Sequence, residues 1–188
     1  MPRRPPPGSR SADFARRARR VRLLLFDVDG VLTDGRIYLL SMPDGGALEM
    51  KVFHAHDGAA IKLARAMGLR TGLITGRDSA ATTRRAREMR MEFVTQKQAN
   101  KLPAYEEILR QARLGDDEVA YMGDDLPDLP VLARVGLAIA SGNAALEVKQ
   151  AAHFVTRRCG GEGAVREAVE AILRAQGLWR KAIGRAEA

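Results

Sequence analysis

The chain of 188 residues has one cysteine, one tryptophan and an aromatic content of only 5%. The single cysteine, Cys159, excludes a disulfide within the chain and favours a reducing compartment. No apolar run approaches the roughly 18 residues that a membrane-spanning helix needs, and the arginine-rich start lacks the apolar segment of a secretory signal. We therefore expect a cytoplasmic protein without a membrane partner, and no functional role for Cys159.

Positive charge is concentrated at the start of the chain. The net charge is +8, and residues 1–22 hold eight arginines against one aspartate. We expect residues 1–20 to form a basic arm that is disordered over residues 1–10 and forms a short helix over residues 12–20. Such an arm binds polyanions nonspecifically. Because Phe14 is the only aromatic residue among its arginines, we do not expect nucleic acid to be the main partner.

Apolar runs of strand length alternate with helix-like stretches over residues 21–177. That alternation predicts one α/β domain with a doubly wound, Rossmann-like parallel sheet and helices on both faces. An apolar content of 46% is sufficient for its core, and residues 178–188 are expected to be a C-terminal tail. The expected strands are 21–26, 69–74, 91–94, 119–122, 135–139 and 152–155. The expected helices are 57–67, 78–89, 102–113, 126–134, 144–149 and 163–176.

Residues 34–57 leave room only for a projecting β-hairpin, with strands at 35–40 and 47–53 around a turn at 43–46. Few core positions are available to its apolar side chains, so we expect other subunits to bury them. These side chains are Ile37, Leu39, Leu48, Met50 and Val52.

Two of the three histidines, His54 and His56, alternate at the end of this hairpin. On a strand they would share one face, which is compatible with a metal site. No third ligand lies at a suitable spacing, however. We therefore expect His54 near the mouth of an active site instead.

The most informative segment is an apolar run that ends in paired aspartates. Residues 23–26 suit a strand that is buried on both faces of a parallel sheet, and ligands collect beyond the carboxyl ends of such strands. Asp27 lies at that end and Asp29 follows it, before Gly30. Buried carboxylates are costly unless they are paired or bound to a metal. The pair therefore indicates a cation and a reaction, and the alternative is a simple acidic turn.

Three more polar clusters follow along the chain. Thr75, Gly76 and Arg77 follow one strand-like run, Lys101 opens an amphipathic stretch, and Asp124 begins the sequence Asp-Asp-Leu-Pro-Asp after another strand-like run. Taken singly, these have structural explanations: a helix N-cap and turn, a solvated lysine and a capping aspartate. All four clusters in this order favour an enzyme.

This ordered set resembles the four motifs of the haloacid dehalogenase-like phosphatases, over residues 21–177. The resemblance implies phosphoryl transfer, with Asp27 as a nucleophile that forms an aspartyl-phosphate and Asp29 as the acid and base. It implies a magnesium ion bound by Asp27, the backbone carbonyl of Asp29 and Asp124, with Asp125 or Asp128 reaching its water shell.

A narrower resemblance is to the 3-deoxy-D-manno-octulosonate 8-phosphate phosphatases, a family without a cap domain. The segments that carry it are 27–35, 54–58, 74–77, 123–130 and 160–167. It implies hydrolysis of an eight-carbon keto sugar acid phosphate in lipopolysaccharide precursor biosynthesis, by a homotetramer joined through the 35–53 hairpin. The chain departs from this family at Lys97, where a glycine is usual before the motif that contains Lys101.

The same resemblance implies a set of substrate contacts. They are Thr75, Gly76, Arg77, Lys101, His54, Asp57, Gly160 and Gly161. In the family the glycine-rich loop at 157–163 reaches toward a neighbouring subunit's site, although a flexible helix linker is the alternative here.

Arg77 bears on which substrate is used. A guanidinium binds oxyanions in a bidentate manner, which favours a substrate contact for Arg77; an ordinary position in the first turn of a helix is the alternative. Related phosphatases of nine-carbon keto sugar acids tend to carry an acidic residue there, so Arg77 favours the eight-carbon substrate. A nine-carbon substrate and a non-catalytic phosphatase-like subunit stay open as alternatives.

Overall fold

The computed structural model describes residues 7–186, and side chains from residue 12 to residue 184. Its strands are β1 (Leu23–Phe26), β2 (Tyr38–Ser41), β3 (Ala47–Met50), β4 (Arg70–Ile74), β5 (Phe93–Thr95), β6 (Val119–Gly123), β7 (Leu137–Ala140) and β8 (Phe154–Val155). Its helices are α1 (Pro7–Ala18), α2 (Ala55–Ala66), α3 (Ala80–Glu88), α4 (Leu102–Ala112), α5 (Leu129–Leu132), α6 (Leu146–Ala151), α7 (Ala164–Ala175) and α8 (Trp179–Ala186).

Six parallel strands form one sheet in the order β5-β4-β1-β6-β7-β8, and β2 and β3 form a separate antiparallel hairpin. The prediction of a doubly wound parallel sheet with a projecting hairpin is confirmed. The chain passes to β4 on one side of β1 and to β6 on the other, so the carboxyl end of β1 is the topological switch point where ligands bind in such sheets.

The side chains of β1 divide between two apolar cores. Leu24 and Phe26 face a core completed by α1, α2, α7 and α8. Leu23 and Leu25 face a second core, which α4, α5 and α6 cover. Because successive side chains of a strand point to opposite faces, a run of four apolar residues at this place implies helices on both sides of the sheet.

Two elements differ from the expectation. The expected helix at 126–134 is a 3₁₀ turn (Leu126–Asp128) followed by the short α5. Pro127 and Pro130 lack the N–H groups that a continuous helix would use. The expected tail at 178–188 contains α8, whose Trp179 is buried against the guanidinium groups of Arg166 and Arg174, 5.2 and 5.0 Å from its ring.

The described part of the arm packs on the domain. Residues 1–6 of the expected disordered segment lie outside the described residues, whereas α1 already begins at Pro7. Arg17 donates to the carbonyl oxygen of Gly136 at 2.8 Å, and Arg22 pairs with Glu118 at 2.9 Å. These arginines therefore hold α1 and the residue before β1 against the domain. Across residues 7–186, no helix combines the length and the apolar character that crossing a membrane requires.

Candidate active site

Three neighbouring strands bring the first, second and fourth polar clusters to one edge of the sheet. Phe26 of β1 is in register with Leu73 of β4 and with Met122 of β6. The residues that follow these positions therefore lie side by side. Together with the start of α4 they line a cleft of about 440 Å³. Of the predicted site residues, it is lined by Asp27, Asp29, Thr75, Gly76, Arg77, Lys101, Asp124 and Asp125.

A cluster of carboxylates lies at the base of this cleft. Oxygens of Asp27, Asp124 and Asp128 lie within 4.8 Å of one another. Burial, with the charge of Asp128 second, raises the pKa of Asp27 to about 7. Burial and the charges of Asp27 and Asp128 raise the pKa of Asp124 to about 8. Oδ1 of Asp27 and Oδ1 of Asp124 are both buried; the first lies against the Lys101 ammonium, and among the described residues the second has no hydrogen-bond donor. Hard carboxylate oxygens at this spacing, one of them without a donor, fit a divalent cation.

Glycine at position 30 makes this arrangement possible. Gly30 has a φ angle of +89°, which favours glycine, and a Cβ atom there would lie 1.9 Å from Oδ2 of Asp124. Any side chain would therefore displace the Asp124 carboxylate. The Asp-x-Asp-Gly segment is thus matched to the acidic segment after β6.

Asp128 anchors the site from below. Its Oδ1 accepts hydrogen bonds from Lys101 and Tyr121, each at 2.6 Å. Its Oδ2 accepts from the backbone N–H groups of Asp124 at 2.9 Å and Asp125 at 3.2 Å. With both oxygens occupied by donors, Asp128 fixes the loop and the lysine and has little capacity left for a metal. This role, and the participation of Tyr121, were not predicted from the sequence.

Asp125, which was predicted as a metal residue, has a different environment. Its side chain is exposed, and its Oδ1 accepts from the N–H of Leu126 at 2.8 Å. This is the geometry of an N-cap for the 3₁₀ turn that follows. The structure therefore does not place the Asp125 carboxylate in the cluster with Asp27 and Asp124.

Lys101 is a buried cation between two carboxylates. Its Nζ lies 2.9 Å from Oδ1 of Asp27 and 2.6 Å from Oδ1 of Asp128. Burial opposes the charge of Lys101, but the two aspartates outweigh it and raise the lysine pKa. Lys101 is therefore charged at neutral pH, and the alternative of a solvated surface lysine does not hold.

Thr75 and Arg77 lie on the second wall of the cleft. Thr75 is buried, and its backbone N–H donates to the carbonyl of Thr95 at 3.0 Å while its own carbonyl accepts from Gln98 at 3.0 Å. Its loop is therefore held by β5 and by the segment before Lys101. Arg77 is partly exposed and donates to Glu49 of the hairpin at 3.0 Å.

The loop before Lys101 keeps a glycine-like backbone without the glycine. Lys97 has a φ angle of +62°, in the left-handed region that costs roughly 1–2 kcal/mol for a residue with a side chain. Its ammonium pairs with Asp78 at 2.8 Å. The loop therefore takes a path typical of glycine, and the departure at position 97 does not redirect it.

Gly160 and Gly161 support the first motif within the same chain. A Cβ atom on Gly160 would lie 1.9 Å from the carbonyl oxygen of Gly30. The N–H of Gly160 donates to Asn143 at 2.6 Å, and Asn143 donates to the Gly30 carbonyl at 3.1 Å. The N–H of Gly161 donates to Val31 at 3.2 Å. The two predicted substrate contacts therefore pack against the loop after β1, and they do not line this chain's cleft.

His54 and Asp57 also lie away from the cleft of their own chain. His54 caps α2 by accepting from the N–H of His56 at 3.1 Å, so the expected shared strand face does not exist. Asp57 is buried and accepts from the N–H of Arg166 at 2.7 Å. It therefore joins the N-terminal turns of α2 and α7, a role that chain spacing could not reveal.

Two hairpin residues join the site without having been predicted. Lys51 forms ion pairs with Asp29 and, at 3.4 Å, with Glu49. Glu49 also receives Arg77. A signal for them does exist in the sequence, because Glu49 and Lys51 are two residues apart and share a strand face, between Leu48, Met50 and Val52 on the other.

Comparisons with known proteins agree with this geometry. Residues 77–167 match the family model of the haloacid dehalogenase-like hydrolases. The 3-deoxy-D-manno-octulosonate 8-phosphate phosphatase KdsC of Escherichia coli K12 is 40% identical over 177 residues, which are 94% of this chain and 92% of the relative.

Solved structures are similar over nearly the whole chain. A probable YrbI family phosphatase from Pseudomonas syringae is 46% identical, with a TM-score of 0.88 over 94% of this chain and 98% of that one. The 3-deoxy-D-manno-octulosonate 8-phosphate phosphatase of Moraxella catarrhalis, in complex with magnesium, phosphate and the sugar acid KDO, is 34% identical, with a TM-score of 0.87 over 92% of this chain and 97% of that one.

Proposed function

The chain belongs to the haloacid dehalogenase-like hydrolases, in the family of the 3-deoxy-D-manno-octulosonate 8-phosphate phosphatases, and from this membership we propose that it hydrolyses 3-deoxy-D-manno-octulosonate 8-phosphate to the sugar acid and phosphate. The observation that carries the proposal is the placement of Asp27. It lies at the switch point of the sheet, 2.9 Å from the Lys101 ammonium and beside Asp124. A carboxylate so placed has a cation, a metal position and an open cleft in front of it.

The reaction takes two balanced steps. In the first, a carboxylate oxygen of Asp27 bonds to phosphorus, the bond from phosphorus to the sugar oxygen breaks, and Asp29 gives that oxygen a proton. In the second, water attacks the aspartyl-phosphate and gives its proton to Asp29, and the bond between phosphorus and Asp27 breaks. Thr75, the backbone at Gly76 and Lys101 bind the phosphoryl oxygens, where negative charge develops.

Magnesium is the metal of this site. Asp27, the backbone carbonyl of Asp29 and Asp124 would hold it, and the buried Oδ1 of Asp124, which has no hydrogen-bond donor among the described residues, fits that role. When bound, the ion neutralises charge on the phosphoryl group during transfer. Asp128 would not bind the ion directly, because its oxygens already accept four hydrogen bonds in total from Lys101, Tyr121, Asp124 and Asp125.

Substrate choice rests on Arg77, which is partly exposed at the cleft. The test is magnesium-dependent phosphate release over a panel: the eight-carbon keto sugar acid phosphate, a nine-carbon keto sugar acid phosphate, and a sugar phosphate without a carboxylate. We expect the first to have the highest kcat/KM. Preference for the nine-carbon compound would overturn the substrate assignment. Absence of release from all three, with folding confirmed by circular dichroism, would favour a non-catalytic subunit.

The hairpin supports a homotetramer. Its apolar side chains are exposed, and contiguous apolar surface of this kind marks a contact with another protein. They are Ile37, Leu39, Leu40, Met42, Leu48, Met50 and Val52. Neighbouring copies would bury this surface and cover the open cleft of a protein without a cap domain.

A pair of leucines tests the assembly. Leu39 on β2 and Leu146 on α6 are both 65% exposed. Light scattering should show a tetramer for the wild type and for Leu146→Glu, and smaller species for Leu39→Glu. A monomeric wild type, or a Leu39→Glu variant that stays tetrameric, would contradict assembly through the hairpin.

A further inference from the structure

Lys51, the residue that follows β3, is a buried cation beside the acid and base. Its side chain is 4% exposed and pairs with Oδ1 of Asp29 and, at 3.4 Å, with Oε1 of Glu49. We propose that Lys51 is a positioning residue: it holds the Asp29 carboxyl in the orientation for proton transfer and links that orientation to the placement of the hairpin. This inference rests on the proposed phosphatase function.

Lys51 does not line the cleft. It lines a separate pocket on the hairpin together with Ile37, Leu48 and Ala81, whereas Asp29 lines the cleft. A buried lysine is rare unless it is paired. Lys51 is therefore placed to act on the reaction through Asp29 and not from the lining of the cleft.

The two oxygens of Asp29 have different surroundings. Oδ1 is taken by Lys51, while Oδ2 lies 4.0 Å from Nε of Arg77, beyond hydrogen-bond distance. Oδ2 is therefore the oxygen that is free to carry a proton to the leaving group. The ammonium of Lys51 restricts rotation of the carboxyl and keeps Oδ2 toward the cleft, and general acid catalysis depends on such placement.

Glu49 extends this link to the rest of the hairpin. Its Oε1 receives both Lys51, at 3.4 Å, and Arg77, at 3.0 Å. The two cations that flank Asp29 therefore share one carboxylate on β3. A displacement of β3 would move Lys51 and Arg77 together and would change the orientation of Asp29.

The experiment compares leaving groups in Lys51→Met. The alkoxide of a sugar phosphate needs a proton from Asp29 to leave, whereas 4-nitrophenolate leaves without one. The experiment measures kcat/KM, which reports on the step in which the phosphoryl group is transferred to Asp27. We expect a loss of about 100-fold with the sugar acid phosphate and less than about tenfold with 4-nitrophenyl phosphate, because general acid catalysis contributes roughly 10²–10⁴-fold. Lys51→Arg should recover most of the loss.

Three controls interpret the result. Lys62→Met removes an exposed lysine outside the cleft and should leave both substrates unaffected. Asp29→Asn should show the same dependence on the leaving group as Lys51→Met, only larger. Light scattering and circular dichroism should show an intact assembly in each variant.

Two outcomes of the Lys51→Met kinetics would overturn the inference. Equal losses with both substrates would make Lys51 a structural residue of the hairpin, and unchanged kinetics would remove it from the reaction. A failure of the proposed function would give a different result.

If the wild type hydrolyses another alkyl phosphate in place of the sugar acid phosphate, only the substrate assignment is wrong, and the Lys51→Met variant is then compared with the wild type on that compound. If Asp29→Asn shows no dependence on the leaving group, Asp29 is not the acid and the role of Lys51 falls with it.

Discussion

Replacing the nucleophile Asp27 by asparagine should stabilise the metal-free protein at alkaline pH while it removes activity. Asp27 is buried beside Asp124 and Asp128, and burial followed by the charge of Asp128 raises its pKa from 3.8 to about 7. In the folded state the carboxyl therefore keeps its proton over a range of pH in which the unfolded chain has lost it. Folding binds a proton in that range, so the free energy of unfolding falls as pH rises from about 4 to about 7.

The size of the effect follows from the pKa difference. At about 1.4 kcal/mol for each pH unit, the change from 3.8 to about 7 corresponds to about 4 kcal/mol. Asparagine imitates the protonated carboxyl. We therefore expect Asp27→Asn to gain up to about 4 kcal/mol over the wild type at pH 8 and almost nothing at pH 4. Magnesium offsets part of this penalty: at 100 times its Kd it adds about 2.7 kcal/mol to the stability of the wild type.

The assay is urea unfolding followed by circular dichroism, at pH 4 to 8, with EDTA or with magnesium. Asp125→Asn is the matched control, since this neighbouring carboxylate is exposed and its replacement should change stability little. Metal-free wild type with a pH-independent free energy of unfolding would refute the reasoning, as would an Asp27→Asn variant less stable than the wild type at pH 8. The rate of phosphate release by Asp27→Asn should be more than tenfold below that of the wild type, because no neighbouring group can replace the nucleophile.

Three further outcomes are expected. Arg77→Ala should raise KM for the sugar acid phosphate at least about tenfold with a smaller change in kcat, since a hydrogen bond to a charged group contributes about 1.5–3 kcal/mol. Steady-state kinetics would test this. An unchanged KM would mean that Arg77 only contacts the hairpin, through Glu49. Asp128→Ala should lower the free energy of unfolding by about 3–5 kcal/mol, because four buried or partly buried donors, on Lys101, Tyr121 and the backbone of Asp124 and Asp125, lose their acceptor; urea unfolding would show this. Lys97→Gly should be more stable than Lys97→Ala by about 1 kcal/mol in thermal unfolding, because only glycine relieves the left-handed backbone; equal stability would show that the loop tolerates the strain.

Local pattern was sufficient to predict the sheet and the positions at which polar residues meet. The expected boundaries agree with those of the six strands of the parallel sheet to within about two residues at each end. Where they differ, as at Val21, the residue is in the core but outside the ladder, since its N–H donates to Ala18. Hydrophobicity reports burial, and hydrogen bonding to a neighbouring strand is a separate property that the pattern does not contain.

Long-range contacts were not predictable in the same way. From the sequence we predicted a tail at residues 178–188, because a short amphipathic segment without an acidic first turn gives only a weak indication of a helix. Its stability comes from packing, with Trp179 and Ala182 buried against the core. The close approach of Gly160 and Gly161 to the backbone at Gly30 and Thr33 of their own chain was likewise not predicted, and their contact with a neighbouring subunit's substrate stays a prediction.

The order of apolar runs and polar clusters along the chain was sufficient to predict the fold class, the cleft at the end of β1 and the convergence of Asp27, Thr75 and Asp124, because parallel strands bring their carboxyl ends to one edge. The surroundings of these groups depend on tertiary packing. Asp128 below the site and Lys51 beside Asp29 reach their partners across 27 and 22 residues of chain. Side-chain direction and burial at such separations depend on how whole elements pack, and no spacing rule within the sequence specifies that packing.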